Sequence, residues 1–295
     1  MRGRLYLGGA FALAGTSAVA GFLLSKKLPG FTITFLSMCI VLLGLLPFYG
    51  TRTLRAVRGL TRHNWRMLFS QAVLGIFLFR MFLLFGVRLT STAQAGMLTG
   101  TTPAITAVMA HFILKERISG RMALGIAATV AGIFLLQKQG AFSLQTYGSP
   151  VWGSVLILCA AASEAAFNIL SRHDLAGSTT AAEALHPMVQ TLLVSAIALV
   201  LSVLPALLEQ PMAAIRALNV SEWLALLWYG LIVTALAFSF FYAGVKRCGA
   251  YTVAAFSGVM PLTAVLLSTL LLGEAVSLPQ WIGGGLILLS MWLIG

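Results

Sequence analysis

Residues 5–24 carry no charged side chain, and the chain returns to this pattern again and again. About 20 apolar residues in an α-helix cross the roughly 30 Å of hydrocarbon in a bilayer. Stretches of this kind fall at 5–24, 31–49, 67–87, 93–114, 120–137, 151–170, 181–204, 223–245, 251–272 and 278–294. Hydrophobic residues make up 59% of the 295 and charged residues only 9%, against roughly 25% charged in soluble domains. Too little polar surface is left to coat a globule in water. A membrane β-barrel alternates apolar and polar residues, whereas these runs are continuously apolar. The pattern therefore predicts an all-α integral membrane protein with ten transmembrane helices.

The net charge of +12 raises the possibility of nucleic-acid binding, and the placement of the basic residues argues against it. With ten spans both termini share one side, which then holds 13 of the 19 Lys and Arg, including Arg52, Arg55, Arg58, Arg62 and Arg66. The other side holds 5, and Arg80 lies inside a span. Basic loops mark the cytoplasmic face, so both termini are expected there, and the run from Arg52 to Arg66 reads as a solvated loop. Arg2, Arg4 and the Ala18-Val19-Ala20 sequence have the look of a cleavable signal peptide. The full span length between them favours a first helix instead. Cys39, Cys159 and Cys248 lie in or beside apolar runs at unrelated spacings, which suits neither a disulfide framework nor a metal site.

The chain also repeats itself. Positions 158 apart match at Val87 and Val245, Gly100 and Gly258, Pro103 and Pro261, Glu116 and Glu274, and Gly125 and Gly283. Ser17, Leu24 and Ser25 match Ser163, Leu170 and Ser171 at a slightly shorter offset. Residues 1–140 and 141–295 thus read as two copies of one five-helix unit. Because five is odd, the second copy would lie upside-down relative to the first, the architecture of secondary transporters.

The copies share a helix with a central proline, then Leu-x-Glu, a short turn and a glycine-bearing helix: Pro103, Leu114, Glu116 and Gly125, then Pro261, Leu272, Glu274 and Gly283. This resembles the repeat of the drug/metabolite transporter superfamily, in its ten-helix branch of bacterial exporters. Among these the chain is most similar to the aromatic amino-acid exporters of the bacterial inner membrane. The resemblance implies a central cavity lined by helices 1, 3, 4, 6, 8 and 9, and no nucleotide-binding domain. The chain itself contains no Gly-x-x-x-x-Gly-Lys-Ser/Thr loop. The expected partners are membrane lipid and a small-molecule substrate, in a monomer or weak dimer with no cofactor, nucleotide or nucleic acid.

Several residues are candidates for the work. Pro103 and Pro261 sit mid-span beside Gly100 and Gly258, and each removes a backbone hydrogen bond, freeing the carbonyls of Thr99 and Ser257. They are read either as paired hinges or as static kinks repaired by Ser and Thr hydroxyls. Arg80 and Glu164 are charges well inside spans, where each needs a partner, water or a role. Neither is duplicated, since Arg80 aligns with Phe238 and Glu164 with Ala18. They could clamp the carboxylate and ammonium of an amino acid or pair with each other, and Arg80 could instead snorkel to the interface. Asn168 follows Glu164 by one turn, with Ser163 adjacent, and Gln94, Thr99, Thr101 and Thr102 give the fourth span unusual polarity. Phe238, Phe240, Phe241 and Tyr242 could cradle an aromatic substrate or face lipid, while His111 and His186 read as structural.

An intramembrane enzyme would need an acid pair, a nucleophile with its base, or a metal cluster. Asp174 is the single Asp, and no His-Glu-x-x-His motif occurs. A channel fits less well than alternating access, given the paired prolines. The expectation is a secondary transporter exporting amino acids, with a proton-coupled exporter of cationic drugs as the alternative.

Overall fold

A computed structural model of the chain describes residues 2–114, 119–140, 150–177, 185–248, 253 and 256–294. Every described element is helical. We label them α1 (Arg2–Ser25), α2 (Gly30–Arg58), α3 (Arg62–Leu89), α4 (Thr92–Thr99), α5 (Thr102–Leu114) and α6 (Gly120–Gly140). There follow α7 (Pro150–Gly177), α8 (Pro187–Leu208), α9 (Pro211–Arg216), α10 (Val220–Val245), α11 (Val259–Leu272) and α12 (Leu278–Ile294). Punctuating residues explain the boundaries. Proline opens α8 and α9, where its missing N–H is no loss, while Ser91 caps the start of α4 by accepting from the Gln94 amide. Gly273 ends α11 in the left-handed region at φ 66°, a conformation that costs glycine little.

Within the described residues, the expected apolar stretches lie mostly on helices. Among the described residues, six are long and apolar enough to cross a membrane: Arg2–Ser25, Gly30–Arg58, Arg62–Leu89, Val151–Ser171, Pro187–Leu208 and Val220–Val245. The fourth expected span departs from expectation. It is two short helices, α4 and α5, separated by a turn at Gly100 and Thr101. Pro103 therefore stands in the first turn of a new helix and does not kink a continuous one. Pro261 likewise sits in the first turn of α11, directly after its N-cap Gly258. Glu116, the first of the repeat-end acids, lies outside the described residues; Glu274, the second, lies within them.

Two spans contain a π-helical stretch, Val73–Leu78 in α3 and Trp228–Leu236 in α10. Shifted by 158 residues, the first falls on positions 231–236, inside the second. A π turn leaves a carbonyl out of the regular ladder, and side chains take up both. Ser163 on α7 donates to the Leu74 carbonyl at 2.8 Å, and Thr234 donates to the Tyr229 carbonyl at 2.7 Å.

Helix packing follows a regular scheme. α2 lies against α8, α6 against α12, α3 against α7, and α1 against both α10 and α11. At one end of the bundle acidic side chains fasten helix starts, where the helix dipole favours a negative charge. Glu209 accepts from the backbone amides of Phe31 and Thr32 at 3.2 and 2.7 Å, and Glu274 from those of Thr92 and Ala93 at 3.1 and 2.8 Å. Lys27 pairs with Glu222 at 2.9 Å, and Arg88 donates to the Ser25 carbonyl at 2.7 Å and to that of Leu28 at 2.5 Å.

Close approach sets a sharp requirement at Gly96. A Cβ there would lie 2.5 Å from the Ala264 Cβ on α11, well inside contact distance. Gly96→Ala must therefore part α4 from α11, at about 1–3 kcal/mol for overpacking. We expect a lowered melting temperature for the detergent-purified variant. Gly285→Ala, where no atom lies within 4 Å of the added Cβ, serves as the control and should melt like the parent. Equal melting of both variants would contradict the packing of α4 on α11.

Candidate functional site

Five helices surround a pocket in the bundle. α1 contributes Ala10, Phe11 and Ala14, and α3 contributes Gly75 and Phe79. Glu164, Phe167 and Asn168 come from α7, Ala237, Phe238 and Phe241 from α10, and Met260 from α11. The helical period explains the α7 set: positions i, i+3 and i+4 fall on one face. Gly75, within the π turn of α3, makes room, since a Cβ there would meet the Phe167 ring at 2.6 Å. The walls are aromatic and tightly coupled. Phe167 packs on Phe238 and Phe241 with ring centroids 5.7 and 5.2 Å apart, and Phe11 meets Phe241 edge-on.

Glu164 is the charged residue in this lining. One carboxylate oxygen lies 3.1 Å from the Thr102 hydroxyl on α5, and that hydroxyl lies 2.8 Å from the Thr99 carbonyl. The Thr99 carbonyl is the group that the proline at 103 strands, because proline has no N–H to offer it. Thr102 thus takes up the freed carbonyl, a hydroxyl repair of the kind the sequence left as one of two readings. The other hydroxyls of the fourth span also turn back on their own backbone, Thr99 to the Gly96 carbonyl at 2.7 Å and Thr101 to that of Leu98 at 2.8 Å. They repair the broken helix and form no wall toward the pocket.

Arg80 is held elsewhere. The residue is 2% exposed, which removes the snorkelling alternative. It donates to the Ser37 hydroxyl at 2.6 Å and to the Thr234 hydroxyl, and it lies over the Tyr229 ring at 4.3 Å from the centroid. Ser37 and Thr234 are themselves anchored on the Thr34 and Tyr229 carbonyls. Among the described residues Lys27–Glu222 is the ion pair present, so Arg80 and Glu164 do not pair with each other. Nor does Arg80 line the pocket.

The remaining candidates divide in the same way. Asn168 lines the pocket beside Glu164. Ser163 faces the π turn of α3, Gln94 donates to Ser154 at 3.2 Å, and Tyr242 donates to Gln71 at 3.2 Å. Phe238 and Phe241 are wall residues, whereas Phe240 packs on Tyr6. Pro103, Gly100 and Gly258 mark helix breaks behind the site, and Pro261 lines a separate apolar recess with Met97 and Trp281. His186 caps α8 and stacks on Tyr49, and burial followed by the nearby Arg52 and Lys246 keeps its imidazole pKa below the ordinary value. Sequence reasoning missed Phe11, Phe79, Phe167 and Met260. For Phe167 a signal existed, its position between Glu164 and Asn168 on one helical face.

An apolar helical bundle with one carboxylate turned into an interior aromatic pocket is built to move small molecules across a membrane. The comparisons agree. The sequence matches the EamA-like transporter family over residues 1–137 and again over 151–295, and the chain belongs to that family. It is 32% identical over 284 residues to the "Uncharacterized transporter YetK" of Bacillus subtilis (strain 168), covering 94% of this chain and 82% of that protein. It is 23% identical over 219 residues to the "Uncharacterized transporter YyaM" of the same organism, covering 74% and 69% respectively. A solved crystal structure shares the fold at a TM-score of 0.63 and 20% identity, covering 99% of this chain and 95% of its own.

The Arg80 cage makes a separable prediction. Thr234→Val deprives a buried guanidinium N–H of its acceptor, a loss of about 1–3 kcal/mol. The variant should melt below the parent, and adding Arg80→Met in the same background should recover the part of the difference that the guanidinium causes, leaving the part due to the stranded Tyr229 carbonyl. A double variant that melts as low as the single one would contradict the cage.

Proposed function

We propose that this protein is a secondary exporter of the bacterial inner membrane that moves small organic molecules carrying a cationic nitrogen on an apolar or aromatic body. One observation carries the reading: Glu164 projects from α7 into a pocket whose other walls are phenylalanine, alanine, glycine, methionine and a single amide. In a low-dielectric chamber a carboxylate attracts an ammonium strongly, and the aromatic faces favour both cations and flat apolar groups.

Alternating access is the mechanism we infer, with ten helices arranged as two inverted five-helix repeats, residues 1–140 and 141–295. The helix pairing supports it. Exchanging each helix with its repeat partner sends the contact of α3 with α7 onto that of α10 with α1, and leaves α2 with α8 and α6 with α12 in place. The pocket lies where both halves contribute. The 13-to-5 distribution of basic residues supports cytoplasmic termini.

Aromatic amino acids are the second reading. Their ring and ammonium suit the same walls, and the Asn168 side chain can donate to a carboxylate. Against it stands Arg80, the expected carboxylate partner, which is occupied by Ser37, Thr234 and Tyr229.

Phenethylamine and phenylalanine share one body and differ in the carboxylate, so together they decide between the readings. In proteoliposomes we expect phenethylamine to be transported and to bind at least about tenfold more tightly, a difference of about 1.4 kcal/mol. Glu164→Gln should abolish that binding while leaving the melting temperature near the parent's. Tighter binding of phenylalanine would favour the amino-acid reading, and undiminished phenethylamine binding by a stable Glu164→Gln variant would remove Glu164 from the site.

A further inference from the structure

The Thr102 hydroxyl faces two acceptors with one proton. It lies 2.8 Å from the Thr99 carbonyl and 3.1 Å from a carboxylate oxygen of Glu164. A threonine hydroxyl donates once and accepts through its lone pairs, whereas an ionised carboxylate only accepts. Both contacts are satisfied together when Glu164 carries the proton. Its carboxyl then donates to Thr102, and Thr102 donates to Thr99. When the proton leaves Glu164 for the pocket, the carboxylate competes for the Thr102 hydroxyl, and a bond to a charged acceptor is the stronger of the two. Thr102 then turns toward Glu164, and the Thr99 carbonyl loses its donor.

That carbonyl is not an arbitrary one. It closes the break between α4 and α5, where Gly100 and Thr101 form the turn and Pro103 supplies no N–H. Thr99 and Thr102 are 3% and 2% exposed, so water does not replace the lost donor. A buried carbonyl without a partner is costly, and the backbone relieves the cost by rearranging at its weakest point. Here that point is a glycine-bearing turn already outside the helical ladder.

We propose that Thr102 is a positioning residue that transmits the protonation state of Glu164 to the break in the fourth span. The proposal rests on the reading of the Glu164 pocket as the transport site. It makes the discontinuity an element with two arrangements, closed when Glu164 is neutral and loosened when it is ionised. A transporter that exchanges a proton for a cation at one carboxylate needs this kind of link between site and backbone.

Among the described residues, the other titratable groups named for each packed helix are engaged elsewhere or lie near helix ends. On α3, Arg80 is turned into its hydroxyl cage, and Arg62, His63, Arg66 and Arg88 lie near the helix ends. No charged residue lies on α4; on α5 His111 meets Phe112 edge-on, and on α6 Arg121 lies over Trp292. From α10, Tyr229 faces Arg80 and Tyr242 binds Gln71, while Tyr6 of α1 packs on Phe240 and Arg247.

Hydrogen exchange of residues 96–104 in the purified full-length protein tests the link, at acidic and at alkaline pH and corrected for the intrinsic rate. The parent should exchange about fivefold faster at alkaline pH, the factor that one lost hydrogen bond of ordinary net strength produces. Glu164→Gln should show the slow pattern at both pH values, and Thr102→Ser should behave like the parent. Thr102→Val, with no hydroxyl to switch, should lose the pH dependence. Overturning results are a parent with no pH dependence, or a dependence that survives in Glu164→Gln or Thr102→Val. Phenethylamine added to the same samples separates the two ideas. If the pH-dependent exchange is present but the amine neither binds nor alters it, the coupling stands and the substrate reading fails.

Discussion

Hydrocarbon supplies no hydrogen bonds, so the backbone polar groups inside this bundle must find their partners within the protein. That requirement organises the structure more than any single apolar contact. It sends the hydroxyls of Thr99, Thr101 and Thr106 back to their own helix, and it brings Ser163 across from α7 to the π turn of α3. It also places Glu209 and Glu274 on the exposed amides at the starts of α2 and α4.

Applied to the two charges deep in the spans, the same requirement separates them. Arg80 is neutralised by geometry, with two hydroxyls and an aromatic face in place of an anion. Its work is to hold α2, α3 and α10 together. Glu164 has one hydroxyl contact and otherwise borders open space among phenylalanines. A charge left incompletely satisfied beside a cavity is where a transporter can take a ligand or a proton, because there the chain has left the last partner to be supplied from outside. The π turns serve the same end. They lie at repeat-related positions, and the first brings Gly75 to the pocket wall.

Much of the fold was legible as hydropathy, because span length is set by bilayer thickness and needs no knowledge of neighbours. Glu164 and Asn168 were legible as a candidate site, since isolated polar residues on one face of an apolar helix are costly without a use. The partner of Arg80 was not. A zwitterion clamp, an ion pair and a hydroxyl cage all satisfy a buried guanidinium, and only the packing of α2 against α10 decides among them. Proline likewise marks a weak point without saying whether the helix bends or stops. Gly100 and Thr101 turn out of the ladder and make it stop. The helix-capping roles of Glu209 and Glu274 depend on contacts between residues 178 and 182 apart, which local pattern cannot register.

The central claim is that the Glu164 pocket is reached in turn from each side of the membrane. Ala14 lines it from α1, opposite the carboxylate helix, and has a side chain small enough to replace. Ala14→Cys, in a background with Cys39, Cys159 and Cys248 changed to Ser, can be exposed to a membrane-impermeant thiol reagent from either face of proteoliposomes. The account predicts labelling from both faces, slowed by phenethylamine in each case. A thiol that stays unlabelled from both faces, or that reacts equally fast with the amine present, would contradict it.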